Sequence, residues 1–254
     1  MSSVLLDDSD GVAVLTLNRP DAKNAIDLDL ATALDEATQR MQDARCVLLT
    51  AKGPAFCAGG DLKAFSSQDD MSGYVSRVVT HVHAALRRID SLDVPVVAAV
   101  RGAAAGAGLG LACSADIVLA SATARFVSAF TKIGVTPDGS STWVLPRLVG
   151  MRRALELVLT NRVLSADEAA DWGIATRVVP DDDLEDEAMR VAHDLADGPT
   201  AALGRAKRLL RTSLDDTLDT QLDKEKASLV LSASEADAAE GIDAFLGKRE
   251  PKYH

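Results

Sequence analysis

An α/β fold built on a largely parallel sheet is what this chain of 254 residues predicts. Three observations carry that reading. Short apolar runs alternate with stretches of helical periodicity through the first half of the chain. The runs are continuously apolar, as strands covered on both faces are, and not alternating as in an antiparallel meander. Two turns of small residues, Phe56-Cys57-Ala58-Gly59-Gly60-Asp61-Leu62 and Gly102-Ala103-Ala104-Ala105-Gly106-Ala107-Gly108-Leu109-Gly110, each follow such a run.

In chain order, Val12 to Leu17 reads as a strand that enters a loop at Asn18-Arg19-Pro20-Asp21. Leu28 to Ala44 carries Leu30, Ala33, Leu34, Ala37 and Met41 at helical spacing, and Cys46 to Thr50 is a buried strand. Val75, Val78, Val79, Val82, Leu86 and Ile89 mark the next helix. Val94 to Val100 is a strand, Gly106 to Cys113 a helix opening at the glycine-rich turn, and Ile117 to Ala120 another strand. Beyond it, Ser140 to Val149 and Arg152 to Leu159 read as helices. Ser165-Ala166-Asp167-Glu168 is a capping box for a short helix that Gly173 closes. Val178-Val179-Pro180 is a brief edge strand, and Asp181-Asp182-Asp183 a solvated helix start suited to the helix dipole. The remainder to Leu246 is helical, with Leu214, Leu218 and Leu222 stacked at i, i+4.

Composition narrows the function. At 47% hydrophobic residues the chain supplies a sizeable core. Its longest uncharged apolar stretch, after Arg101, stops at Asp116, too short and too rich in small residues to span a bilayer. The start, Met1-Ser2-Ser3-Val4-Leu5-Leu6-Asp7-Asp8, is acidic where a secretory signal is basic, so a cytoplasmic protein is expected, with no membrane partner. Cys46, Cys57 and Cys113 have no metal-ligand spacing and read as reduced, mostly buried thiols. His81, His193 and His254 lack carboxylate or cysteine partners at ligand spacing, so no metal site is expected. A net charge of −11 disfavours nucleic acid as a partner. Any polyanionic ligand needs local cations, for which Arg19, Lys23, Lys248 and Arg249 are candidates.

The two small-residue turns cannot do side-chain chemistry. They offer close backbone approach and main-chain N–H groups that an oxyanion can accept from, or they simply let a helix lie tightly on a sheet. Ser140-Ser141 lacks the elbow of a serine hydrolase, and Gly106-Ala107-Gly108-Leu109-Gly110-Leu111 lacks the spacing of a dinucleotide fingerprint.

Taken with Asn18-Arg19-Pro20-Asp21-Ala22-Lys23-Asn24-Ala25, Pro95-Val96-Val97-Ala98-Ala99-Val100-Arg101-Gly102 and Ala115-Asp116-Ile117-Val118, the turns resemble the ordered signatures of the crotonase (enoyl-CoA hydratase/isomerase) superfamily over nearly the whole chain. The resemblance implies a ββα superhelix over residues 1–195 and a C-terminal helical region, 196–254, that trimerises and helps cover a neighbour's site. It implies a homotrimer or hexamer acting on an acyl-CoA thioester, with coenzyme A only as part of the substrate and no metal or redox cofactor. The N–H groups of Ala58 and Ala107 would hold the thioester oxygen, each donor contributing about 3–4 kcal/mol. Ala22, Lys23, Gly59, Gly60, Asp61 and Leu62 would line the coenzyme A path, with Phe245 and Lys248 closing its adenine and phosphate end from an adjacent subunit.

The resemblance also bears on the reaction. Family hydratases handle one water with two glutamates; this chain has Gly110 and Phe130 at the matching positions, neither of which carries a proton. One acid remains, Asp138 in Ile133-Gly134-Val135-Thr136-Pro137-Asp138-Gly139-Ser140. By local chemistry it is a turn former or a cap for the following helix. By resemblance to members that isomerise ring-epoxidised phenylacetyl-CoA or shift enoyl-CoA double bonds, it is the acid/base. Beside Phe130 and Trp143 it is expected in a poorly hydrated pocket with a raised pKa. The run Gly150 to Arg162 is similar to the 4-chlorobenzoyl-CoA dehalogenases, in which Asp138 would match the nucleophile and His83 the base, with Phe130 in place of their tryptophan. His83 also has a plain reading as a helix-flank histidine. An aspartate-nucleophile dehalogenase or hydrolase, and a non-catalytic binder of CoA thioesters, are therefore the alternatives to an isomerase.

Overall fold

The computed structural model describes residues 2–253, so nothing structural is said of Met1 or His254. Val4–Ser9 (β1) and Val12–Leu17 (β2) form an antiparallel hairpin closed at Asp10-Gly11, both at positive φ (50° and 83°) as a two-residue hairpin turn requires. Then come Leu28–Thr38 (α1), Cys46–Ala51 (β3), Leu62–Ser66 (α2), Met71–Ser91 (α3) and Val96–Val100 (β4). Ala103–Ala105 (β5), Ala107–Cys113 (α4), Ile117–Ser121 (β6) and Arg125–Val127 (β7) follow. The second half holds Ser141–Thr160 (α5), Leu164–Ser165 (β8), Ala166–Trp172 (α6), Arg177–Val179 (β9) and Leu184–Ala196 (α7). Thr200–Thr212 (α8), Leu218–Ala233 (α9) and Ala236–Gly247 (α10) complete the chain.

The main sheet has the order β1-β2-β3-β4-β6-β9, parallel from β2 onward. Its strands are continuously apolar because both faces are covered. Val47, Leu49, Val96 and Ala98 join the core shared with α1 and α3, while Cys46, Leu48, Val97 and Ala99 pack under Leu184, Ala188 and Val191 of α7. A second sheet, β5-β7-β8, runs beside the first and carries the glycine-rich turn into α4. No helix among the described residues is long and apolar enough to cross a membrane.

Most expected elements are present at their expected places, including the capping box at Ser165 and Glu168 and the left-handed Gly173 that ends α6. Five readings need correction. The strand β1 was not expected, because its second half is the exposed Asp7-Asp8 of an edge strand and lacks an apolar pattern. The helix expected to run to Ala44 ends at Thr38; Met41 is nonetheless buried, as a loop residue in the phase of a helical one. The three-residue strands of the second sheet are too short to show a period. Asp181 is not simply solvated: its carboxylate accepts from the Thr123 N–H (3.1 Å) and hydroxyl (2.7 Å), and these bonds lower its pKa. The two helices expected across 140–159 lie end to end in α5, broken at Gly150, whose φ of 76° and ψ of 157° are not helical.

Candidate active site

The turn after β3 and the turn after β4 interlock through main-chain hydrogen bonds. Cys57 N–H donates to Ala103 O and Ala105 N–H donates to Cys57 O, both at 2.9 Å, while Phe56 N–H donates to Arg101 O at 2.7 Å. Gly106 N–H donates to Val127 O at 3.0 Å, which fixes the start of α4 against β7. Gly59, at φ 89°, lies so close to β5 that a Cβ would sit 2.9 Å from Ala105 O. Gly106, at φ 54° and ψ −124°, turns the chain into α4. Both conformations favour glycine, and together they bring Gly60 and the first N–H groups of α4 to one side of the sheet.

Donor availability alters one expectation. Ala58 N–H already donates to Lys23 O at 3.0 Å, so it is not free for a ligand. The neighbouring bridge uses Gly59 O and Asp61 N–H, both bonded to Ile26, and leaves Gly60 N–H between them without an acceptor among the described residues. Ala107 N–H, at the first position of α4, is likewise without one. Ala58 and Ala107 were the pair expected from sequence; Gly60 and Ala107 are the pair with free donors. Which N–H is consumed depends on the contact with Lys23, 35 residues away in the chain, and no local pattern carries it.

Asp138 comes from the segment before α5. Gly139 and Ser140 are both left-handed (φ 62° and 64°), turning the chain sharply into α5. The Ser141 hydroxyl donates to Asp138 O at 2.6 Å. Gly139 lies on α4: a Cβ there would be 3.1 Å from Ala107 Cα, and a Cβ on Gly110 would fall inside the Gly139 carbonyl. The expected choice between cap and acid/base is thereby narrowed. The Asp138 carboxylate does not cap α5; it faces α3, where its Oδ1 lies 2.7 Å from His83 Nε2. Nor is it sealed among aromatic rings, for its side chain is 29% exposed and that of His83 is 36% exposed. Phe130 does reach the site, its ring 3.7 Å from where a Cβ on Gly106 would stand. Trp143 is 42% exposed and stacked under the Arg147 guanidinium, 4.1 Å from the ring centroid.

The remaining expected residues divide into scaffold and free groups. Asp61 caps α2, accepting from Ala64 N–H at 3.1 Å, and pairs with Arg19 at 3.3 Å, so it braces the turn. Arg19 is also paired with Asp27 at 2.8 Å, and Arg249 with Glu240 and Asp243, which takes two of the four candidate cations out of consideration. Lys23, left-handed at φ 52° and exposed beside Ala22 and the 58–62 turn, has no ion pair among the described residues. Leu62 is exposed next to it. Lys248 ends α10 and is also unpaired, and Phe245 is 84% exposed.

Burial pushes the Cys46, Cys57 and Cys113 thiols up to about 12, which removes them as nucleophiles. His81 does have a carboxylate partner, Asp35 at 2.7 Å, but in an ion-pair cluster with Arg88 that ties α3 to α1. The loop that carries Asp138 therefore meets α4 at Ala107, one of the free backbone donors, and brings with it a carboxylate hydrogen-bonded to His83. That arrangement can stabilise charge on a carbonyl oxygen and move a proton nearby.

Comparison with known proteins gives the arrangement a context. The pattern of the enoyl-CoA hydratase/isomerase family matches residues 7–254. The chain is 41% identical to the 1,2-epoxyphenylacetyl-CoA isomerase of Escherichia coli (strain K12), covering 96% of this chain and 95% of that one. It is 31% identical to 4-chlorobenzoyl coenzyme A dehalogenase-2 of an Arthrobacter species, covering 96% and 91%. Among solved structures, an enoyl-CoA hydratase from Polaromonas sp. JS666 superposes with a TM-score of 0.93 at 32% identity over 99% of both chains.

Proposed function

The chain belongs to the enoyl-CoA hydratase/isomerase family and has its crotonase fold, and from that premise we propose that it is an acyl-CoA isomerase with Asp138 as the sole acid/base. The thioester oxygen accepts from Gly60 and Ala107 N–H. Asp138 takes a proton from C2, the charge is held as a dienolate against the two donors, and the same carboxyl returns the proton at C4. The cycle balances as proton transfer alone, with no redox partner or metal. The observation that carries this reading is Asp138 itself: positions 110 and 130 hold glycine and phenylalanine, and one Asp138 oxygen is held by His83 while the other has no partner among the described residues. Water addition then lacks the second acid/base group it needs, so hydratase activity is low or absent.

Coenzyme A is proposed to lie along Lys23, Ala22 and the 59–62 turn, with Phe245 and Lys248 contributed by an adjacent subunit of a trimer or hexamer in the cytoplasm. The name of the E. coli relative supports ring-epoxide thioesters as one substrate class to test beside straight-chain 3-enoyl-CoA. The test is double-bond migration in 3-enoyl-CoA by wild type and Asp138→Asn. A loss of about 10²–10⁴-fold with binding retained is expected, and full activity in the variant ends the proposal. Proton exchange from acyl-CoA into deuterated water separates the enzyme from a mere binder.

A second reading is favoured by one specific contact, the 2.7 Å approach of His83 to Asp138. In it the Asp138 carboxylate displaces halide from an aryl ring to leave an aryl ester, as in a dehalogenase, or displaces the coenzyme A thiolate to leave a mixed anhydride, as in a hydrolase, and His83 is the base that activates the water that cleaves it. Only this reading yields a covalent adduct, seen as an increase in the mass of Asp138-containing peptide after rapid quenching.

A further inference from the structure

The Asp138 loop is fixed in its main chain and not in its carboxylate. Residues 131–136 are exposed, and the loop is anchored only where it meets helices. Ser141 hydroxyl holds the Asp138 carbonyl from α5, and Gly139 lies against Gly110 and Ala107 of α4. Neither contact touches the carboxyl group, which has two rotatable bonds between it and the chain. Its partner is His83 Nε2, 2.7 Å from Oδ1, and Oδ2 has none among the described residues.

His83 is well placed to act as a post. It stands on α3, a helix of 21 residues whose Val78, Val82, Leu86 and Ile89 are buried in the main core, so its backbone cannot follow the loop. Resting on the reading of Asp138 as acid/base, we propose that His83 is a positioning residue: its Nε2–H donates to Oδ1, which turns Oδ2 toward the acyl carbons. In this role the imidazole donates from Nε2 and moves no proton to or from substrate. Misplacement of a reacting group by about 1 Å lowers rate by about 10²-fold, which sets the effect to be expected from losing the bond.

The test is kcat and KM for 3-enoyl-CoA isomerisation by wild type, His83→Leu, His83→Gln and Asp138→Asn. A glutamine amide nitrogen can stand where Nε2 stands and donate the same bond, yet it cannot take up a proton. His83→Leu is expected to lose about 10²-fold in kcat with KM within about threefold of wild type, because binding is carried elsewhere. His83→Gln is expected to recover most of that loss. The half-exposed flank of α3 tolerates both changes, and thermal melting of each checks it. Undiminished kcat in His83→Leu overturns the proposal. Equal loss in Leu and Gln variants also overturns it, and makes His83 a proton-transfer group instead. Full activity in Asp138→Asn would sink the assignment of Asp138 itself, a result distinct from either outcome at His83.

Discussion

A side chain at position 110 would have nowhere to go, because the carbonyl of Gly139 occupies its place. The carboxylate that the family resemblance would place there in a hydratase has no room here, because main chain of the loop that brings Asp138 fills the space. Gly110→Glu is expected to gain no water addition to 2-enoyl-CoA, measured by mass of the product, and to lose isomerisation as well. Gly110→Ala should lower kcat by about 10²-fold by pushing Gly139 and Asp138 back by about the width of a methyl contact. Hydratase activity in Gly110→Glu would show that the loop yields readily. At Gly60 the relevant group is the N–H. Gly60→Pro removes that donor and should cost about 10²–10³-fold in kcat, with folding checked by circular dichroism.

Helix α8 is held to the sheet by charge. Lys207 Nζ is 2.8 Å from Asp116 Oδ2 and 2.9 Å from Val94 O, and Arg211 is 2.7 Å from Asp116 Oδ1. The Lys207 side chain is only 8% exposed, and burial lowers its pKa despite the Asp116 carboxylate beside it. Asp116→Ala strands that ammonium and should destabilise by about 3–5 kcal/mol in urea unfolding, while Lys207→Met, with Arg211 still on Asp116, should be nearly neutral. The sign of the pH effect follows. A lysine whose folded pKa is depressed penalises folding at neutral pH, and the penalty disappears as pH rises through the folded value toward about 10.4. Stability of wild type relative to Lys207→Met should thus rise on the alkaline side. Further along, Leu218 and Leu222 of α9 are exposed, as is Leu214, which sits in the turn after α8 and so breaks the expected i, i+4 run. A trimer would cover such a face, and Leu218→Glu with Leu222→Glu should lower the sedimenting mass. A wild-type monomer at micromolar concentration would refute this.

The whole molecule carries 38 acidic against 27 basic side chains, so it repels a polyanion at a distance and must hold one locally. Many of its arginines are spent on internal pairs, Arg19, Arg88, Arg211 and Arg249 among them. Lys23 and Lys248 have no ion pair among the described residues, and Lys248→Glu should weaken acyl-CoA binding most at low salt, with the difference shrinking as ionic strength rises. Equal affinity at low salt would remove Lys248 from the binding path.

The sequence by itself determined the layered α/β architecture, because strands buried on both faces must be apolar throughout and helices on a sheet must show a stripe. It determined the two small-residue turns because a close backbone approach excludes side chains, whereas at Asp138 local chemistry pointed to a helix cap and only the family resemblance to an acid/base. Only the tertiary structure decided which donors stay free, since Ala58 N–H is taken by Lys23 O from a distant loop and Gly60 N–H is not. It also decided what Asp138 does with its carboxylate, which passes over the helix cap beside it to meet His83, 55 residues earlier in the chain. Periodicity reports which way a residue faces; it carries no information about which group from another element has already claimed its hydrogen bond.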